Sequence, residues 1–135
     1  MLAVLLLLSL AGSLALPALD RGLREREVRQ SALQLAALAR ELRGRAVDES
    51  ALQQLVLSLQ ENSYRTSENK VFLPPEIRIA GLEGGEPLGE RGRQFLFFPN
   101  GSLLGGRITV SSREARSSYS IFLDSLTGRV VVRRQ

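Results

Sequence analysis

No charged side chain occurs in the first nineteen residues, MLAVLLLLSLAGSLALPAL, and Asp20 then opens a stretch rich in Arg and Glu. A helix of nineteen residues rises to about 28 Å, close to the hydrocarbon thickness of a bilayer. Three placements fit such a run. It is a helix that sits in lipid or in a helical assembly, a cleaved secretory signal, or a helix inside a soluble core. The signal reading has a small-x-small site in Ser13-Leu14-Ala15 but lacks a basic n-region before it. The core reading asks a small protein to bury an uncharged terminal run on all sides. A greasy start leading into a β-rich remainder points to insertion and assembly rather than catalysis.

The full chain has 135 residues, enough for the apolar segment and one small domain. After Leu19 a modest core can form, one helix packed on one sheet. The net charge is +4, carried almost wholly by Arg, with Lys70 the one lysine. These charges are scattered, which is the pattern of a solvated surface; affinity for nucleic acid or acidic lipid is the minor alternative. Cysteine is absent, so no disulfide staples the fold. Histidine is absent too, which removes the commonest general base and metal ligand.

Past Pro17 the helical pattern continues. A proline there removes one backbone hydrogen bond and predicts a bend rather than an end. Arg21–Glu25 and Glu25–Arg29 stand four apart and support an exposed helix. Val28, Ala32, Leu35, Ala39, Leu42 and Ala46 then recur at gaps of four and three, one helix face. That face is expected to pack on the sheet, with its alanines allowing close approach. The run 51–60 has good helix propensity, yet Leu55, Leu57 and Leu59 alternate, which predicts a strand over about 54–60. ENS at 61–63 turns the chain and Tyr64 begins a return. Pro74-Pro75 breaks any helix, and Ile77 and Ile79 mark a half-buried strand. Residues 81–93 read as a mobile loop, from five glycines and a proline among charges. QFLFF (94–98), apolar on both faces, is expected to lie centrally in the sheet. Pro99-Asn100-Gly101 is a turn signal. Strands around Ile108–Val110, Tyr119–Leu123 and Val130–Val132 follow, the last after the turn at Thr127-Gly128. Short connections between consecutive strands predict an antiparallel meander.

The last third resembles the head domain of the GspH/FimT pseudopilin family. The resemblance rests on Phe97-Phe98-Pro99-Asn100-Gly101, on Gly105-Gly106 before an apolar strand, and on Leu126-Thr127-Gly128-Arg129 before the final strand. VFLPPEIRI is similar to the family's Leu-Pro segment, and the apolar start with its Ala-Leu-Pro step to the pilin-like helix. The likeness runs over nearly the whole chain. It implies an α+β fold, with a long N-terminal apolar helix packed on a small antiparallel β-sheet head. Residues 1–46 would be the transmembrane and filament helix, and 47–135 the periplasmic head.

The function implied is that of a minor subunit of a type II secretion pseudopilus, single-pass in the inner membrane with its head in the periplasm. Leu2, Val4, Leu5, Leu6, Leu7, Leu8, Leu10, Leu14, Leu16 and Pro17 would form the membrane and filament helix. Partners implied are lipid, other pseudopilins, the inner-membrane secretion platform, and prepilin peptidase if the start lies upstream. The family's basic leader, Gly–Phe junction, threonine and glutamate do not precede the apolar run here. The expectation is therefore a start upstream of Met1, where processing and methylation would occur. Arg21, Arg24, Arg26 and Arg29 follow the run directly, which by the positive-inside rule opposes a periplasmic head; an upstream basic leader would restore the balance.

An enzyme is not expected. No His activates the many Ser and Thr, and a Ser–Lys pair would need Lys70, read as a surface charge. Glu83, Glu86 and Glu90 fit no calcium-loop spacing. No phosphate-binding glycine motif is present, and no cofactor is expected. Two alternatives stand beside the pseudopilin reading. One is a FimT-like minor pilin contacting DNA phosphates through Arg129, Arg133 and Arg134, against an edge strand blunted by charge. The other is a periplasmic or secreted binding domain with its signal removed.

Overall fold

A computed structural model describes residues 22, 23, 25–113 and 117–135 in full; residues 2–21 and Arg24 enter only through the extent of their helix. The expected membrane-helix residues from Leu2 to Pro17, and the bend at Pro17, lie outside the described side chains. Among the described residues no helix is long and apolar enough to cross a membrane.

Helix α1 spans Leu2–Asp48, two residues past the expected end at 46. Its backbone stops where Ser50 takes a positive φ of 51° and the Ala51 amide bonds back to the Ala46 carbonyl at 3.2 Å. The striped face is buried: Val28, Ala32, Leu35, Ala39, Leu42 and Ala46 are at most 1% exposed. Ala36, which the stripe omitted, is buried with them. Each buried Val or Leu on this face contributes roughly 2 kcal/mol of transfer free energy, and the alanines let the backbone approach the strands below.

Among the described residues nine strands follow: β1 Gln53–Ser58, β2 Ser63–Arg65, β3 Lys70–Phe72, β4 Ile77–Gly84, β5 Glu86–Pro87, β6 Gly92–Phe97, β7 Gly106–Ser112, β8 Ser118–Leu123 and β9 Val130–Arg134. They form two antiparallel sheets rather than one meander, in the orders β3-β2-β1-β6-β5 and β4-β7-β8-β9. The chain leaves the first sheet at Pro74-Pro75, adds β4 to the second, returns for β5 and β6, and crosses again to β7. Helix α1 packs across β1 of the first sheet and β7, β8 and β9 of the second.

The expectation of a mobile loop over 81–93 is corrected. Gly84 and Gly85 take φ of 77° and 66°, a region that favours glycine, and carry the chain from one sheet to the other. The Leu88 amide then donates to the Gly92 carbonyl at 2.9 Å, closing a hairpin between β5 and β6. The strand over 94–98 is also revised: Phe95 and Phe97 face the core, while Leu96 and Phe98 are half-buried. Its outer side meets short β5 and then residues 103–104, with the Leu104 amide on the Leu96 carbonyl at 2.9 Å.

Asn62 joins the sheets. Its Nδ2 donates to the Ile77 carbonyl at 2.6 Å, and its Oδ1 accepts from the Ile79 amide at 3.0 Å. The side chain thus pairs with the outer edge of β4 as a strand would, and its φ of 53° is one that Asn tolerates. Asn62→Ala leaves both edge groups unpaired and should cost about 2 kcal/mol. A thermal melt showing no shift would remove this bridge from the account.

Candidate interaction surface

Of the three family-like turns, those at 99–101 and 126–129 are well separated in sequence, and they meet on the helix. Arg43 donates from Nε to the Gly101 carbonyl at 2.8 Å. Gly128, at φ 71°, lies so close to that guanidinium that a Cβ there would strike it. Arg40, one turn earlier, donates from Nη2 to the Val130 carbonyl at 2.8 Å. Two helix arginines therefore staple α1 to the turn after β6 and to the β8–β9 hairpin. Sequence reading missed both; the signal was their place at i+4 and i+7 from Ala36 on the flank of the buried stripe.

Each turn is held by its own polar groups. Asn100 Oδ1 accepts from the Ser102 amide at 3.0 Å and from its hydroxyl at 2.6 Å. Thr127 Oγ1 accepts from the Arg129 amide at 3.3 Å, and the Gly128 amide donates to the Asp124 carbonyl at 2.9 Å. Gly105 and Gly106 lie against the Leu123 and Glu83 carbonyls respectively. Pro99 is exposed at the start of its turn.

Asp124 caps the β8–β9 turn. Its Oδ1 accepts from the amides of Leu126 at 2.9 Å and Thr127 at 3.4 Å. Those bonds, the Leu126 amide first, hold its carboxyl below the usual carboxylate range. A carboxyl depressed on folding adds stability above its unfolded pKa of about 3.9 and loses it as pH falls through the folded value. Asp124→Asn keeps the acceptor without the charge. The stability gap between wild type and D124N should be present at neutral pH and close as pH drops below about 3.9. Melts of the two at several pH values check this; a gap unchanged by acid would be the contrary result.

The C-terminal arginines do not gather. Arg133 and Arg134 are neighbours on β9 and leave it on opposite faces. Arg133 lies over the Phe122 ring at 5.5 Å, beside Arg107 at 5.9 Å, and Arg134 pairs with Glu25 of α1 at 3.7 Å. Arg129 stands in the cleft that Arg40 and Arg43 also line. Of the loop carboxylates, Glu83 pairs with Arg107, and Glu86 accepts from Gln94 Nε2 at 2.9 Å. Lys70 pairs with Glu61 and lies 5.0 Å from the Phe72 ring centroid.

What remains on the outside is suited to contact. Leu126 is 92% exposed at the tip of the β8–β9 turn, and Phe72 is 63% exposed on edge strand β3. Single exposed apolar residues are ordinary, but large ones at a turn tip and on an open strand edge are where partners attach.

No family model and no curated protein matches the chain in sequence. Among solved structures it is similar to the minor pseudopilin EpsH from the type 2 secretion system of Vibrio cholerae. The TM-score is 0.66 with 11% sequence identity, over 79% of this chain and 96% of that one. At that identity the likeness is one of fold. The chain has a pseudopilin-like α+β fold, a helix laid on antiparallel sheets.

Proposed function

We propose that this protein is a structural minor pseudopilin of a type II secretion pseudopilus, serving protein export and performing no catalysis. The observation that carries the reading is the fold shared with the EpsH minor pseudopilin. The uncharged run at the start of α1 supports it. Residues 1–46 would anchor in the inner membrane and later pack in the filament, and 47–135 would form the periplasmic head. A leucine surface suits lipid and neighbouring helices alike, so moving between them costs little in hydrophobic terms. The partners would be other pseudopilins and the secretion platform. The DNA-uptake alternative draws no support from Arg129, Arg133 and Arg134, whose side chains face three ways.

The test is cross-linking in the native membrane with a tagged full chain, followed by identification of what is recovered. Other pseudopilins of a secretion system are the expected product; recovery of none of them, or of type IV pilus subunits instead, overturns the proposal. A charge at the apolar run gives a second test. Leu6→Glu places a carboxylate at bilayer depth at a cost of about 3 kcal/mol, and should move the protein from the membrane fraction to the soluble one. Full membrane retention of that variant would remove the anchor. N-terminal sequencing separates the third alternative, since a mature start near Leu16 would mean a cleaved signal and a free head.

A further inference from the structure

We infer that the cleft between α1 and the β8–β9 hairpin docks an acidic segment of another protein subunit, with a carboxylate seated among Arg40, Arg43 and Arg129. The partner's identity as a pseudopilin rests on the function proposed above; the chemistry of the cleft does not.

The cleft has a volume of about 440 Å³ and is lined by three guanidiniums, by Thr127, and by the apolar Val131. No carboxylate lines it, and none of the three arginines is in a salt bridge among the described residues. Asp124 feels the charge of Arg129 but does not line the cleft, and its Oδ1 accepts from the turn amides. Three like charges share one concavity, and two of them cannot swing away. Arg40 is tied to the Val130 carbonyl and Arg43 to the Gly101 carbonyl. Each spends only part of its five donors on that bond, and the rest stay oriented. Held guanidiniums bind a carboxylate through parallel N–H···O bonds without first losing side-chain freedom.

The same surface disfavours a nucleic acid. A phosphate backbone needs a track of cations. Here the neighbouring cations turn off the cleft, Arg133 onto Phe122 and Arg134 towards Glu25. Beside the cleft stand apolar groups instead: Val131 at 39% exposure and Leu126 at 92%. A compact cationic pocket with apolar neighbours complements a peptide that mixes Glu or Asp with Leu-like side chains.

The experiment is fluorescence anisotropy with the full chain in a neutral detergent. The probe is a fluorescein-labelled peptide of alternating glutamate and leucine, and an unlabelled twenty-nucleotide single strand is the competitor. Arg129→Gln is the cleanest variant, because no side-chain hydrogen bond of Arg129 is present among the described residues. It should weaken peptide binding about tenfold, as loss of one charge-assisted bond does. Arg40→Gln should do the same, and the control Arg78→Gln, on the outer side of β4 against Ser111, should leave binding unchanged. Equal binding by R129Q and wild type, or binding of the oligonucleotide in place of the peptide, overturns the inference. Peptide binding lost in R129Q with no pseudopilin recovered by cross-linking keeps the cleft and removes the pseudopilus reading. Pseudopilin recovery together with R129Q-insensitive peptide binding does the reverse.

Discussion

Phe95→Ala should lower the unfolding free energy of the head by about 4 kcal/mol, the largest single-residue loss expected in this fold. Phe95 is fully buried, opposite Leu55 on β1. Its ring also reaches the neighbourhood of the second sheet: a Cβ built at Gly106 would stand 2.7 Å from its Cε1, and one at Gly85 3.1 Å away. The ring is thus the contact between β6 and the glycine crossovers that join the two sheets. Removing it forfeits the transfer free energy of a large aromatic and leaves a cavity. Collapse into that cavity is opposed on both sides. β6 is bonded along its length to β1, and its outer edge is held by the Leu104 amide on the Leu96 carbonyl at 2.9 Å. Urea unfolding of the full chain in mild detergent, followed by tyrosine near-ultraviolet dichroism, reads the loss through Tyr64 and Tyr119. A loss below about 1.5 kcal/mol would mean that the site closes over the gap and that the ring is not what separates the sheets.

The parts of this fold that were legible in the sequence are those set by near neighbours. The stripe from Val28 to Ala46 is periodic, and periodicity is local information. The alternation of Leu55 and Leu57, of Ile77 and Ile79, and the turn at Asn100-Gly101 are local too. The division into two sheets was not legible, because it depends on β1 finding β6 and β4 finding β7, pairings between segments distant in sequence. The glycine-rich stretch over 81–93 was misread for a related reason. Its glycines look like looseness when taken singly, yet Gly84 and Gly85 are where the chain must cross between sheets. The arginine staples were hidden because Arg40 and Arg43 look like any solvated helix charge. Only folding brings the Gly101 and Val130 carbonyls to them. The family-like turns could be recognised as a pattern, but glycine at 128 answers its positive φ, the Gly101 carbonyl beside it, and an arginine 85 positions earlier, and the last two reach it only on folding.

Gly106→Ala should cost about 3 kcal/mol, although it adds a single methyl group. Gly106 opens β7, paired with Gly84 on one side and Leu123 on the other. A Cβ there would run into the backbone carbonyl of Glu83 and the edge of the Phe95 ring. A flexible side chain could rotate away from such a methyl; a strand carbonyl cannot, and the ring is fully buried. The backbone of β4 or β7 must therefore move, and the strain spreads into the sheet pairing. Gly44→Ala supplies the contrast. Gly44 lies on α1 with nothing within 4 Å of its Cβ position, so alanine there should stabilise by up to about 1 kcal/mol. A double-mutant cycle isolates the cause. If part of the Gly106 penalty comes from the Phe95 ring, G106A costs at least about 1 kcal/mol less in the F95A background than in wild type. The remainder is owed to the Glu83 carbonyl, which no side-chain truncation removes. Strict additivity would leave the carbonyl alone to account for glycine at this position, and the aromatic wedge would then have no part in joining the sheets.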